Sequence, residues 1–153
     1  MRVLVDTSVW SLALRRDENS QHPEALELRR LIAAQRAQII GPIRQELLSG
    51  VRDPTQFTRL ESHLAAFPDL PLVAEDYVTA AKFFNLCRSR GVQGSNTDFL
   101  ICAVAVRHEL AVFTTDGDFP RFAKCVPIVL HEFKQMAEPT PARNRRSAPK
   151  REE

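Results

Sequence analysis

Short apolar runs alternate with longer segments of helical spacing along most of this chain. "RVLV", "AQIIG", "AVFTT" and "VPIVL" each read as a strand. "LPLV" reads as a weak strand or an extended link. Helices are expected over "TSVWSLALRR", "PEALELRRLIAAQR", "PIRQELLSG", "PTQFTRLESHLAAF", "EDYVTAAKFFNLCRSRG" and "NTDFLICAVAVRHEL". Pro23 and Pro42 stand in first turns, where a missing N–H costs nothing, and Gly50 and Gly91 stand at stops. Strands that are short, apolar and separated by helices pair in parallel through helical crossovers. The expected fold class is therefore α/β, a three-layer α/β/α arrangement with a short parallel sheet flanked by helices.

Such sheets place ligands at the carboxyl ends of their strands. Two strands here run into acid: "VLV" ends on Asp6 and "VFTT" on Asp116. Each acid also has a plain structural reading. Asp6 precedes a helix and suits its N-cap. Asp116 and Asp118 flank Gly117 in "FTTDGDF", which reads as a tight turn. Glu46 shares a helical face with Ile43, Leu47 and Gly50. A carboxylate on that inward stripe needs a partner, or lies at its edge with water, Arg44 or Arg52. Asp98 opens "DFLICAVAV", in line with Ile101, Cys102 and Ala105. Behind a cap at Asn96 or Thr97 it is a favourable helix-end charge.

Four separate elements thus each offer an acid. Carboxylates that close raise one another's pKa unless a cation neutralises them. Oxygen ligands without Cys or His suit Mg²⁺ or Mn²⁺ better than zinc. Those ions activate water and stabilise the charge that develops in phosphodiester cleavage.

"VLVDTSVW", "GPIRQELLSG", "NTDFLICAVAV" and "VFTTDGDF" together resemble the four acidic motifs of PIN-domain ribonucleases, most closely the VapC-type toxins of toxin–antitoxin pairs. The resemblance runs from Arg2 to about His131. It implies that Asp6, Glu46, Asp98 and Asp116 form an acidic quartet, with Asp6, Asp98 and Asp116 as the main ligands of Mg²⁺ (or Mn²⁺). Glu46 would complete the shell or orient the water. Thr7, Ser8 and Thr114 match small hydroxyl positions beside the metal, Asn96 matches a polar position before the third acid, and Asp118 is an accessory acid. The implied activity is metal-dependent endoribonuclease action on RNA. The implied partners are a VapB-type antitoxin that masks the site and a second copy in a homodimer. A groove for an antitoxin helix is expected among Trp10, Leu12, Leu14, Leu26, Leu28, Leu31 and Ile32.

Three other readings stand beside this one. A haloacid-dehalogenase-type phosphatase wants a second Asp two residues after the strand-end Asp, and that position is Ser8. A PIN-like module that binds RNA or protein without cleaving would have lost acids that are all present here. An RNA-processing nuclease outside a toxin–antitoxin pair stays open.

Composition bounds the rest. A chain of 153 residues makes about one domain. No stretch approaches the ~18 apolar residues of a membrane span, and the N-terminus reads as leaderless, so a cytoplasmic location is expected. Cys87, Cys102 and Cys125 form no ligand pattern, and Cys102 reads as a small core residue. His22, His63, His108 and His131 read as scattered and unpaired, and Trp10 as core or interface. Arg143, Arg145, Arg146, Lys150 and Arg151 crowd the end, against Glu152 and Glu153. Residues 1–137 are expected to form the nuclease domain, and 138–153 a basic, disordered tail.

Overall fold

A computed structural model describes residues 1–14 and 21–135. The basic tail, the boundary expected at residue 137 and the Arg15–Arg16 end of the first helical segment lie outside the described residues. The elements run β1 (Val3–Val5), α1 (Thr7–Leu14), α2 (Pro23–Ala33), β2 (Ala37–Gln38), α3 (Gly41–Leu48), α4 (Pro54–Leu64), α5 (Ala74–Ser89), α6 (Asn96–Arg107), β3 (Ala111–Phe113), α7 (Asp118–Phe122) and β4 (Val129–Leu130).

The punctuation follows local chemistry. Pro23, Pro42 and Pro54 sit in the first turns of α2, α3 and α4. Asp53 caps α4 by accepting the Thr55 N–H at 2.9 Å. Gly50 and Gly91 take left-handed φ values of 84° and 74° just past helix ends, where a side chain would be strained.

All four strands are parallel, in the order β2-β1-β3-β4. Val3 pairs with Ala37 on one side and Ala111 on the other, and Ala111 pairs with Val129. Every residue of β1 and β3 is buried. Successive side chains point to opposite faces, so both faces of the sheet are covered, as a three-layer fold requires. Helix α1 packs on α2 and α3, and α3 on α4. Helices α5 and α6 form a closely packed pair, with α6 against β3. No helix among the described residues is long and apolar enough to cross a membrane.

Several expectations are narrowed or corrected. "LPLV" is the extended link of its two readings and not a strand: a parallel bridge joins Ile39 to Asp69, and Leu70 then donates its N–H to the Ile39 carbonyl at 2.9 Å. The "DGDF" turn continues into a helix, α7. His131 is paired: its Nε2 lies 2.8 Å from Oε1 of buried Glu27, which also takes Arg30. Of the side chains expected to line a groove across α1 and α2, Trp10, Leu28 and Leu31 are buried in the core, Leu12, Leu14 and Ile32 are half-buried and Leu26 is exposed. Trp10 packs edge-on against Phe67 and donates its indole N–H to the Val5 carbonyl at 3.1 Å. Cys102 is a core residue, as expected.

Candidate active site

Between β1 and β3 the chain order of the strands changes direction, so their carboxyl ends form the topological switch point of the sheet. Asp6 follows β1 there. Its N–H donates to the Phe113 carbonyl at 2.8 Å, and its own carbonyl accepts from Trp10 at 3.3 Å. It therefore occupies the N-cap position of α1, and its carboxylate faces the end of β3.

That carboxylate is 6% exposed. Its Oδ2 accepts the Ser8 hydroxyl at 2.8 Å and the Thr114 hydroxyl at 2.9 Å. Each hydroxyl has one proton, and both go to Asp6. Their lone pairs serve the next loop: Ser8 Oγ accepts the Thr115 N–H at 3.1 Å, and Thr114 Oγ1 accepts the Asp116 N–H at 3.0 Å. Two small hydroxyls thus tie the strand-end acid to the loop that carries Asp116. Burial raises the Asp6 pKa, and the hydroxyl and backbone hydrogen bonds pull against it.

Asp98 reaches the same place from α6. Its Oδ2 accepts the Ser95 N–H at 3.0 Å, while Ser95 Oγ accepts the Asp98 N–H at 3.1 Å. This is a capping box, so the cap is Ser95 and not Asn96 or Thr97. The spacing Ser-x-x-Asp before an apolar run carried that signal in the sequence. Burial raises the Asp98 pKa despite Ser95, and the negative charges of Asp116 and Asp6 raise it further. Burial, then the charge of Asp98, also pushes up the Cys102 thiol one turn below.

Glu46 takes the second of its two sequence readings, at the edge of the stripe. It is exposed, off the buried stripe of Ile43 and Leu47. Its Oε2 accepts the Thr7 hydroxyl at 2.7 Å, which hooks it to the residue after Asp6. Arg44 faces the other way, to Asp69 and the carbonyls of Leu64 and Phe67. Asp118 donates its N–H to Asp116 Oδ1 at 2.9 Å, and its carboxylate lies 3.7 Å from Arg121. Asn96 is exposed at the start of α6.

The cleft therefore gathers Asp6, Asp98 and Asp116, with Glu46 beside them on Thr7. Among the described residues, no three His, Cys, Asp or Glu side chains form a ready-made metal cage as they lie. The donor chemistry nevertheless suits a hard dication. It is all oxygen, and Asp98 carries unmet like-charge repulsion that a cation would relieve.

The chain is similar to known proteins. The PIN domain family model matches residues 3–124. The chain is 32% identical over 136 residues to Ribonuclease VapC11 of Mycobacterium tuberculosis and to VapC ribonuclease Mb1587 of Mycobacterium bovis, covering 86% of this chain and 99% of each relative. Among solved structures, FitAcB from Neisseria gonorrhoeae superposes with a TM-score of 0.68 at 22% identity, over 85% of this chain and 96% of that one. VapBC2 from Rickettsia felis, bound to a DNA fragment from its promoter, gives 0.67 at 17% identity, over 88% of this chain and 100% of that one.

Proposed function

The chain belongs to the PIN domain family, and from that premise we propose that its acidic cleft cleaves RNA as the toxin of a toxin–antitoxin pair. Its kinship with VapC ribonucleases supports both the reaction and the role. One observation carries the site assignment: Asp6, at the switch point, is bound by two hydroxyls to the Asp116 loop and lies within electrostatic reach of Asp98.

Asp6, Asp98 and Asp116 would hold Mg²⁺ or Mn²⁺. Such an ion would supply positive charge for the phosphate and make a water easier to deprotonate. The protein's own residues do the rest. Ser8 and Thr114 fix the Asp6 carboxylate and favour its ionised form. Ser95 fixes Asp98, and Asp118 steadies Asp116 through its N–H. Exposed Glu46, held on Thr7, orients the attacking water and takes its proton. Hydrolysis adds the water oxygen to phosphorus and returns a proton to the leaving oxygen. A VapB-type antitoxin masks the cleft, and the toxin pairs with a second copy.

The test is cleavage of total RNA by the full chain. EDTA should abolish it, and Mg²⁺ or Mn²⁺ should restore it. Undiminished cleavage in EDTA would remove the metal from this account.

A further inference from the structure

Where α5 turns into α6, next in the chain to Ser95 and Asp98, lies an open pocket of ≈ 190 Å³ lined by Phe84, Arg88, Val92, Gln93, Gly94 and Phe99. We propose that it is a nucleobase subsite: one unpaired base of the RNA inserts there while Arg88 holds an adjoining phosphate. The proposal rests on the ribonuclease reading and extends it to how the substrate is gripped.

Size comes first. Clefts for drug-sized ligands run to about 300–1,000 Å³, whereas an apolar cavity of about 150 Å³ takes up benzene. A pocket of ≈ 190 Å³ suits a single heterocycle.

The lining is aromatic on one side. Phe84 meets Phe99 edge-on with centroids 5.5 Å apart, and Phe99 meets Phe122 at 4.8 Å. These rings form a layer from α5 across α6 to α7, in which Phe99 and Phe122 are buried and Phe84 is half-buried, its face open to the pocket. Gly94 rests directly on it: a Cβ there would come within 2.4 Å of Phe122 Cζ and 3.0 Å of Phe99 Cε2. Only glycine lets the backbone lie this close to the rings. Unpaired RNA bases are held by stacking on accessible rings such as Phe84 and on guanidinium planes such as that of Arg88.

The polar members have matching chemistry. Arg88 is exposed and belongs to none of the ion pairs among the described residues. A guanidinium outside those ion pairs offers a phosphate the positive charge that the acidic residues lack. Exposed Gln93 can both donate to and accept from a base edge. Position links the pocket to the chemistry. Gly94 directly precedes Ser95, which holds Asp98, and Phe99 directly follows Asp98.

The experiment is an NMR titration of the full chain with the four nucleoside 5′-monophosphates, with ribose 5-phosphate as the base-free control. The nucleotides should shift the backbone amides of Val92, Gln93, Gly94 and Phe99 saturably, and ribose 5-phosphate should not. Arg88→Ala, an exposed change, should weaken the binding about tenfold, as expected for a charge-assisted hydrogen bond. Val92→Trp, which fills the pocket, should abolish it. Equal shifts with ribose 5-phosphate, shifts confined to other regions, or no shifts would overturn the proposal. Cleavage of RNA is scored separately on the same protein. Intact cleavage without nucleotide shifts removes the subsite alone. Pocket shifts in a protein that cuts no RNA remove the ribonuclease reading and keep the nucleotide site.

Discussion

At Asp6, position in the chain and chemistry coincide. A single residue ends β1, caps α1 and presents a buried carboxylate at the switch point. Its position was legible, because an apolar run ending on Asp before a helical segment is a strong local pattern. The way it is held was not legible, since Ser8 and Thr114 are 106 residues apart and only the parallel pairing of β1 with β3 brings them together. The sequence left Glu46 between the inner stripe and its edge for a related reason. Helical spacing assigns a face within about one residue's width, and Glu46 falls on the rim, where Thr7 is its partner. Thr114→Val keeps the shape and removes a donor to Asp6 and an acceptor for Asp116. It should cost about 1 kcal/mol of stability and lower RNA cleavage about tenfold, both on the scale of one net hydrogen bond. Thr114→Ser should restore most of the rate. Unfolding curves and initial rates of the two variants check this, and equal rates for Val and Ser would remove the hydroxyl's role.

At the scale of elements, prolines marked the starts of α2, α3 and α4 and glycines the ends of α3 and α5, so the order of strands and helices could be read directly. Helix α7 escaped because five residues after an Asp-Gly pair carry too little periodicity to distinguish a turn from a helix. The lock between α5 and α6 also escaped, because its partners are 31 residues apart. Asp76 is 1% exposed and takes Arg107 through both oxygens, at 2.6 and 2.8 Å, and the Val73 N–H at 2.9 Å. Burial pulls its pKa up, but Arg107, Val73 and His108 outweigh burial and hold it below the usual value of 3.8. The folded chain then binds fewer protons than the unfolded one between the two values. The stabilisation is thus complete above the unfolded value and is lost as pH falls through the folded one. Asp76→Asn should cost about 3 kcal/mol near neutral pH, the lower end for a broken buried pair, because Arg107 keeps some access to water. The gap to the wild type should narrow as pH falls below 3.8. Urea unfolding across a pH series reads both quantities, and a gap constant with pH would mean the pair is not ionic.

At the scale of the molecule, a net charge of +2 conceals a strongly basic end: Arg143, Arg145, Arg146, Lys150 and Arg151. Its composition offers phosphate contacts without base recognition. A chain ending at Ala137 should keep its cleavage positions and metal requirement. It should bind RNA more weakly, with a shallower dependence on salt, and equal slopes for the two lengths would leave the tail with no part in RNA binding. The fold class was legible because short buried strands between helices leave few other solutions. The proposed catalytic grouping was legible only through a resemblance of four motifs together, because each acid alone has an ordinary structural explanation. The central claim is that these strand-end and helix-end acids act as one centre. It is tested most directly by the cleavage rate of one RNA substrate at saturating Mg²⁺, measured for the wild type, Asp6→Asn, Asp98→Asn and Asp116→Asn. Each variant should be slower by about 10²-fold or more, the scale of removing a key electrostatic element. A near-wild-type rate in any one of the three would contradict the shared centre.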